Sequence, residues 1–304
     1  MSDTTASLRR KIDSAGDLQS VVRTMKAMAA SNIGHYERAV RALGDYYRSV
    51  ELGLSICFRK SMPAAAVVEG KGRPGPRFLD AVVFGSDQGL VGRFNDMVAD
   101  YAVKTLAAMP GKHRVWAVGE RAHARLTDAG LPLMGVFTVP NSVKGITKLI
   151  GQILVECEAH HSEGEVTELH LFYNRPTIGA GYEPVSQRLL PLDETWRHKL
   201  VEIPWPAKNL PEVIGGSTTT LRALIREYLF VSIFRACTES LASENASRLA
   251  AMQRADKNID ELLVTLHGTF HRLRQSSIDE ELFDVISGFD ALSAEGETIA
   301  GKHR

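Results

Sequence analysis

Proline is missing from both flanks of this sequence: none precedes Pro63, none follows Pro211, and all 12 lie between. A proline in a helix interior costs about 3 kcal/mol, so the flanks are free to form long helices and the middle is not. Cysteine is scarce as well. Cys57, Cys157 and Cys237 lie far apart with no Cys-x-x-Cys pair. An odd count without ligand spacing argues against a disulfide framework or a cysteine zinc site and fits a reduced, cytoplasmic setting. No uninterrupted apolar run approaches the roughly 20 residues of a membrane span. The opening MSDTTASLRRK has no apolar segment behind its charges, so no secretory signal is expected and any membrane connection must run through a partner. Excess charge is lacking too. Lys plus Arg and Asp plus Glu number 36 each, so no overall field draws in nucleic acid or anionic lipid. Aromatics make up only 7%, which suits helices built from Ala, Leu, Arg and Glu.

What is present is a globular composition, 44% apolar and 24% charged, on a chain of 304 residues, enough to bury a sizeable core. The first flank carries a 4-3 repeat: Leu8, Ile12, Ala15, Gln19, Val22, Lys26, Ala29, Ile33, Tyr36, Val40, Leu43, Tyr47, Val50 and Leu54. Twelve of the fourteen are apolar, the exceptions being Gln19 and Lys26. That is a coiled-coil seam. A helix from about Ala6 to Phe58 would be roughly 80 Å long. The second flank repeats the pattern from Leu224 through Tyr228, Val231, Arg235, Thr238, Ala242, Asn245, Leu249, Met252, Asp256, Ile259, Leu263, Leu266, Phe270 and Leu273 to Ser277, with eleven of sixteen apolar. If Thr218 to Leu292 is one helix, it spans roughly 110 Å. No small protein buries such a helix alone, and the first flank is the available partner. An antiparallel pair is therefore expected, with residues near Leu8 beside the C-terminal end of the second helix.

The middle reads differently. Phe78 to Gly85 is a buried strand, followed by a helix around Asn95 to Met109 and a strand around Arg114 to Val118. Next come a helix around Glu120 to Ala129, a strand around Leu133 to Val139, a helix from Ser142 to His160 and a strand from Glu168 to Tyr173. This alternation indicates an α/β unit with a largely parallel sheet. The fold class is α+α/β: a long antiparallel coiled coil of N- and C-terminal helices with an inserted Rossmann-like domain. The expected organisation is an N-terminal helix over 1–60, a linker over 61–76 with three Pro and three Gly, an α/β domain over 77–212, a C-terminal helix over 213–292 and a polar tail over 293–304.

Three local patterns invite chemistry. Gly85-Ser86-Asp87-Gln88-Gly89-Leu90-Val91-Gly92 lies between a strand and a helix, but its spacing is not Gly-x-Gly-x-x-Gly, and no Gly-Lys-Ser/Thr phosphate loop occurs in the chain. A left-handed turn packing helix on strand is the stronger reading. His160-His161, beside Glu158 and Glu163, fits a solvated helix end better than a metal site. Asp279, Glu280, Glu281 and Asp284 cover more than one helix face, which suits a solvated or partner-facing stretch rather than acid/base catalysis.

Lys11-Ile12-Asp13-Ser14, Gln19 and Met25-Lys26-Ala27-Met28-Ala29-Ala30-Ser31 resemble the N-terminal signature of F-type ATP synthase gamma subunits. Leu241-Ala242-Ser243-Glu244, Ala246, Arg248, Ala251-Met252, Ala255, Asn258, Arg274-Gln275, Ile278, Glu281-Leu282, Ile286 and Gly288 are similar to that family's C-terminal helix. Ser86-Asp87-Gln88-Gly89-Leu90-Val91-Gly92 with Asn95 resembles its Ser-Asp-x-Gly-Leu-x-Gly turn.

The resemblance implies a central rotor shaft without a catalytic site or cofactor. Its tip would enter the alpha-beta hexamer, and its α/β domain would sit against the epsilon subunit and the membrane c-ring. It implies beta-subunit contacts at Met25, Lys26, Arg274, Gln275 and Ile278, with Arg274 and Gln275 facing outward. Rotor-ring or epsilon contacts are expected just before the second helix, where Trp196, Arg197, His198, Lys199 and Trp205 offer aromatic and basic surface. The short side chains of Met28-Ala29-Ala30-Ser31 and Leu241-Ala242-Ser243 would give a slim shaft surface that adheres weakly to its surroundings. Asn32, Gly92-Arg93-Phe94 and the linker depart from the family pattern and point to a variant branch, the sodium-translocating ATPases of some bacteria being a candidate. The coupled ion, proton or sodium, is decided on ring subunits. Two other readings stand beside this one: a nucleotide-binding α/β enzyme with helical extensions, and a coiled-coil scaffold.

Overall fold

The computed structural model describes residues 4–60, 77–159, 166–177, 181–192, 194–209, 211 and 217–300. The expected linker and the His160-His161 pair lie outside them. The elements are α1 (Thr5–Lys60), β1 (Arg77–Phe84), α2 (Phe94–Ala107), β2 (Lys112–Val118), α3 (Glu120–Asp128), β3 (Leu133–Phe137), α4 (Val143–Ala159), β4 (Val166–Pro176), β5 (Tyr182–Leu190), α5 (Glu194–Glu202) and α6 (Ser217–Ala300). The last helix continues to Ala300, past the expected end at Leu292; residues 293–300 contain no proline and one glycine, a cost of about 1 kcal/mol. The chain divides into two compact units, one of Met1–Lys26 with Met252–Arg304 and one of Ala27–Ala251.

The larger unit is built on a five-stranded sheet in the order β3-β2-β1-β4-β5, parallel except for β5, which runs antiparallel to β4. Successive side chains of a strand point to opposite faces, and those of β1 enter two different cores. Leu79, Ala81 and Val83 join one core with Val98, Ala99, Ala102 and Leu106 of α2 and Leu126 of α3. Val82 and Phe84 join another with Ile146, Ile150 and Ile153 of α4, Tyr36 of α1, and Ile233, Ala236, Cys237, Leu241 and Ala242 of α6. Each fully buried Leu or Ile there contributes about 1.5–3 kcal/mol. The sheet is thus covered on both faces, as a parallel sheet must be.

Two elements of this unit were not anticipated. β5 contains Pro184, which argues against a central strand; it is tolerated because β5 is an edge strand. α5 is short and polar. It is held by Leu200 and Trp196, which pack into a third core with Val50, Leu54, Cys57 and Phe58 of α1 and Leu221 and Tyr228 of α6. The Arg59 guanidinium also donates to the backbone oxygens of Val201 and Ile203. In this unit α1 and α6 run antiparallel: Tyr46 meets Glu227 at 2.7 Å, and Asn32 meets Asn245 at 3.3 Å.

The smaller unit is an antiparallel helix pair. Leu8, Ala15, Gln19 and Val22 of α1 are buried, as are Met252 and Ile259 of α6, and all are predicted seam positions. Thr4 caps α1 through a reciprocal pair, its N–H donating to Ser7 Oγ and the Ser7 N–H to Thr4 Oγ1.

Candidate functional site: the sheet crevice and the helix pair

In an open α/β sheet, ligands bind outside the carboxyl ends of the strands where the strand order reverses. In the order found here that point lies between β1 and β4. The turn after β1 is tightly knit. A Cβ on Gly85 would come within 2.3 Å of Ala122 Cβ, so only glycine lets α3 approach. The Ser86 N–H donates to Asn95 Oδ1, Asn95 Nδ2 donates back to Ser86 Oγ, and Ser86 Oγ donates to the Gln88 carbonyl. Asp87 accepts from the Glu120 N–H at 3.1 Å and from the Val139 N–H at 2.9 Å, joining three loops through one carboxylate. Leu90 and Gly92 have φ of 61° and 56°, the left-handed conformation expected of the turn. Ser86 and Asp87 of the turn are thus engaged in holding the loops together.

The crevice itself is occupied by α6. Ser247 Oγ donates to the Val91 carbonyl at 2.5 Å, and Ser243 Oγ donates to the Asn174 carbonyl at 2.9 Å. Asn174, at the end of β4, donates in turn to the Phe94 carbonyl, and Tyr182 shares a 3.3 Å hydrogen bond with Ser247 while its ring lies edge-on to Phe94. Leu241, Ala242 and Ser243 are all buried here. Their small size therefore serves close packing on the sheet, not the slim outer surface expected from the sequence. A phosphate-binding role has no space at this point.

Beside the seat lies Glu244, whose Oε1 accepts from Arg248 at 2.8 Å. Burial pushes its carboxyl above the usual range, with the charge of Asp87 adding to the rise, against the pull of Arg248. Burial also pushes the Cys237 thiol up, so it is inert. Across the sheet, the Arg114 guanidinium pairs with Asp80 at 2.6 and 3.2 Å and lies 4.6 Å from the Phe78 ring centroid.

In the smaller unit the polar exceptions of the two seams meet. Asp256 accepts from Lys26, Arg23 and Gln19, and Gln19 also donates to Asp260. Lys26 and its neighbour Arg23 hold the Asp256 carboxyl below its usual range, the Lys26 hydrogen bond being the largest cause. The sequence held this signal: the two polar interruptions of the first seam, Gln19 and Lys26, call for polar partners, and Asp256 is one of the five polar positions of the second. Lys26 is thus engaged within the chain, though its side chain remains 36% exposed. Met25 is half-buried, and Arg274, Gln275 and Ile278 are exposed. Arg274 and Ile278 line an open cleft of about 560 Å³ with Thr5, Ala6, Arg9 and Phe270, so the start of α1 does lie beside this part of α6.

Of the residues expected to face a rotor ring, Trp196 packs against Phe58 and Tyr228, with centroids 5.7 and 5.1 Å away. Arg197 pairs with Glu194 at 3.1 Å, and Trp205 Nε1 donates to the Asn209 carbonyl. Trp196 thus anchors α5 to the interior, which leaves Arg197 and Trp205 as surface candidates. The carboxylates of Asp279, Glu280, Glu281 and Asp284 are all exposed. Among the described residues no group of three or more His, Cys, Asp and Glu is placed to hold a metal, and no helix is long and apolar enough to cross a membrane.

A family model described as ATP synthase matches residues 4–292. The chain belongs to the ATP synthase gamma-chain family. The ATP synthase gamma chain of Clavibacter sepedonicus is 30% identical, over 94% of this chain and 96% of that one. That of Mycolicibacterium paratuberculosis is 26% identical over 96% and 99%. Among solved structures, a chain of the Euglena gracilis mitochondrial ATP synthase OSCP/F1/c-ring assembly has a TM-score of 0.64 at 17% identity, covering 95% of both chains. A chain of the rotor of the same synthase has a TM-score of 0.61 at 17% identity, covering 90% of this chain and 98% of that one. At that identity the likeness is one of fold. A gamma chain is the non-catalytic central-stalk subunit of the F1 part, so the enzyme and free-standing scaffold readings are set aside.

Proposed function

We propose that this gamma chain is the rotor of an F-type ATP synthase or ATPase at the cytoplasmic face of a bacterial inner membrane. It turns with a membrane c-ring and drives the alpha-beta hexamer, with the epsilon subunit beside its α/β domain. One observation supports this most directly: a buried polar seat fastens α6 to the sheet through Ser243 and Ser247, in the place where a related fold would hold a ligand. A body joined to a helix in this way passes rotation to that helix rather than slipping around it. The asymmetric shaft then shifts each beta site between affinities by differential contact.

Met25, Arg274, Gln275 and Ile278 are the proposed contacts to beta, with Lys26 adding only the surface its ion pair leaves open. Arg197 and Trp205 are proposed to face the ring or epsilon. The test is reconstitution of the chain with alpha and beta subunits of a bacterial synthase. A stoichiometric complex whose ATP hydrolysis turns a bead fixed to the α/β domain is expected. A chain that stays apart from alpha and beta on gel filtration would refute the proposal.

A further inference from the structure

His267 and His271 stand one turn apart on α6, at the i,i+4 spacing that brings two side chains onto one helix face. Both are exposed, their ring centroids are 6.5 Å apart, and their planes differ by 26°. The Phe270 ring lies edge-on to His271 at 5.9 Å, which limits how far that imidazole swings. No hydrogen bond or ion pair among the described residues engages either imidazole. Two imidazoles at this spacing on a regular helix are the arrangement that chelates a divalent transition metal. Each nitrogen must come within about 2.0–2.1 Å of the ion, which rotation about the side-chain bonds of two exposed residues can achieve.

We propose that His267 and His271 form a two-imidazole site for zinc, copper or nickel ions. Imidazole suits these metals, whereas magnesium and calcium require oxygen donors. No group of three or more potential ligands occurs among the described residues. The pair thus supplies two ligands, and a tetrahedral ion keeps two positions for water or for a donor on another chain. That makes the site exchangeable, in contrast to a closed four-ligand structural zinc. Where the rotor reading holds, on which this further step rests, a carboxylate or imidazole of a surrounding subunit can complete the shell and tether the shaft.

The experiment is calorimetric titration of the full-length chain with zinc chloride in a non-coordinating buffer, beside His267→Ala, His271→Ala and the double variant. Copper binding is followed by EPR. The wild-type chain should take up one saturable equivalent of zinc that all three variants lack, with no equivalent for magnesium. Its copper spectrum should show two nitrogen ligands that the double variant loses. Because both side chains are exposed, circular dichroism should not change. Isotherms that match between wild type and double variant overturn the site. In the assembled complex, zinc should slow ATP hydrolysis reversibly on addition of a chelator, and only when both histidines are present. Zinc uptake by the free chain with hydrolysis indifferent to zinc keeps the site and overturns the tether.

Discussion

At the scale of single residues, the charges that matter most are those the fold has removed from water. Asp80 and Arg114 sit directly opposite one another on β1 and β2, in the register that pairs them, and both side chains are almost wholly covered. Taking away one member of a buried pair deprives the other of its bidentate counter-charge. Asp80→Ala should therefore destabilise the chain by about 3–5 kcal/mol, read from urea denaturation. Replacing both members with leucine should cost much less, and equal losses would show that the strand is destabilised for another reason. Glu244 behaves in the opposite sense. Its carboxyl is raised by burial, so the folded state favours the protonated form, and stability falls as pH climbs above the ordinary carboxylate value of 4.5. Glu244→Gln keeps the hydrogen bond to Arg248 without the charge. It should raise the melting temperature at pH 7 and make no difference near pH 3.5. A variant that melts lower at both pH values would mean that Arg248 requires the full negative charge.

At the scale of elements, the helix pair of the smaller unit depends on one aspartate. Asp256 gathers Lys26, Arg23 and Gln19, three polar side chains in or beside an apolar seam, and Asp260 supports it by also taking Gln19 and Arg23. Its pKa is lowered, so its contribution is present above the ordinary aspartate value of 3.8 and is lost as pH falls through the depressed value. Asp256→Asn should speed amide hydrogen exchange in α1 near Gln19 and Lys26 at pH 7, relative to wild type, and the gap should close on acidification. Unchanged exchange at pH 7 would make the cluster a surface ornament. Much of this element was legible beforehand. The seam positions of α1 came from heptad spacing alone, and the two interruptions at Gln19 and Lys26 were visible as exceptions. Their partner was not, because the alignment of two helices more than 200 residues apart in sequence depends on how the intervening chain folds. β5 and α5 escaped notice for a related reason: Pro184 and the polar sequence ETWRHKLVE carry weak local signals, and both elements exist because an edge and a third core were available to receive them.

At the scale of the whole molecule, function divides between a part that is packed and a part left open. The sheet crevice is closed by α6, while Arg274, Gln275 and Ile278 remain exposed on a later stretch of the same helix. Exposed Arg and Gln contribute little to the isolated chain, where solvent screens them. A neighbouring carboxylate would meet a planar fork of five donors in Arg274. Replacing both Arg274 and Gln275 with Ala should thus leave the melting temperature of the free chain within about 0.5 kcal/mol equivalent of wild type. In the reconstituted synthase the same variant should lower the number of ions pumped per ATP hydrolysed. Unfolding of the free chain with normal coupling would assign the pair a structural role instead.

What the sequence determined by itself was whatever depends on neighbours along the chain. Two flanks without proline and with a 4-3 apolar repeat must be long helices that seek a partner, and a middle of alternating strands and helices must make a largely parallel sheet. The family signatures, carried by short contiguous runs such as Ser86 to Gly92, were legible for the same reason. The tertiary structure decided everything that required distant segments to meet. It turned the small residues at 241–243 from a supposed outer surface into a buried seat, drew Trp196 into the interior and joined Lys26 to Asp256. A side chain's role depends on the groups packed against it, and for residues far apart in the chain only the packed fold settles which groups those are.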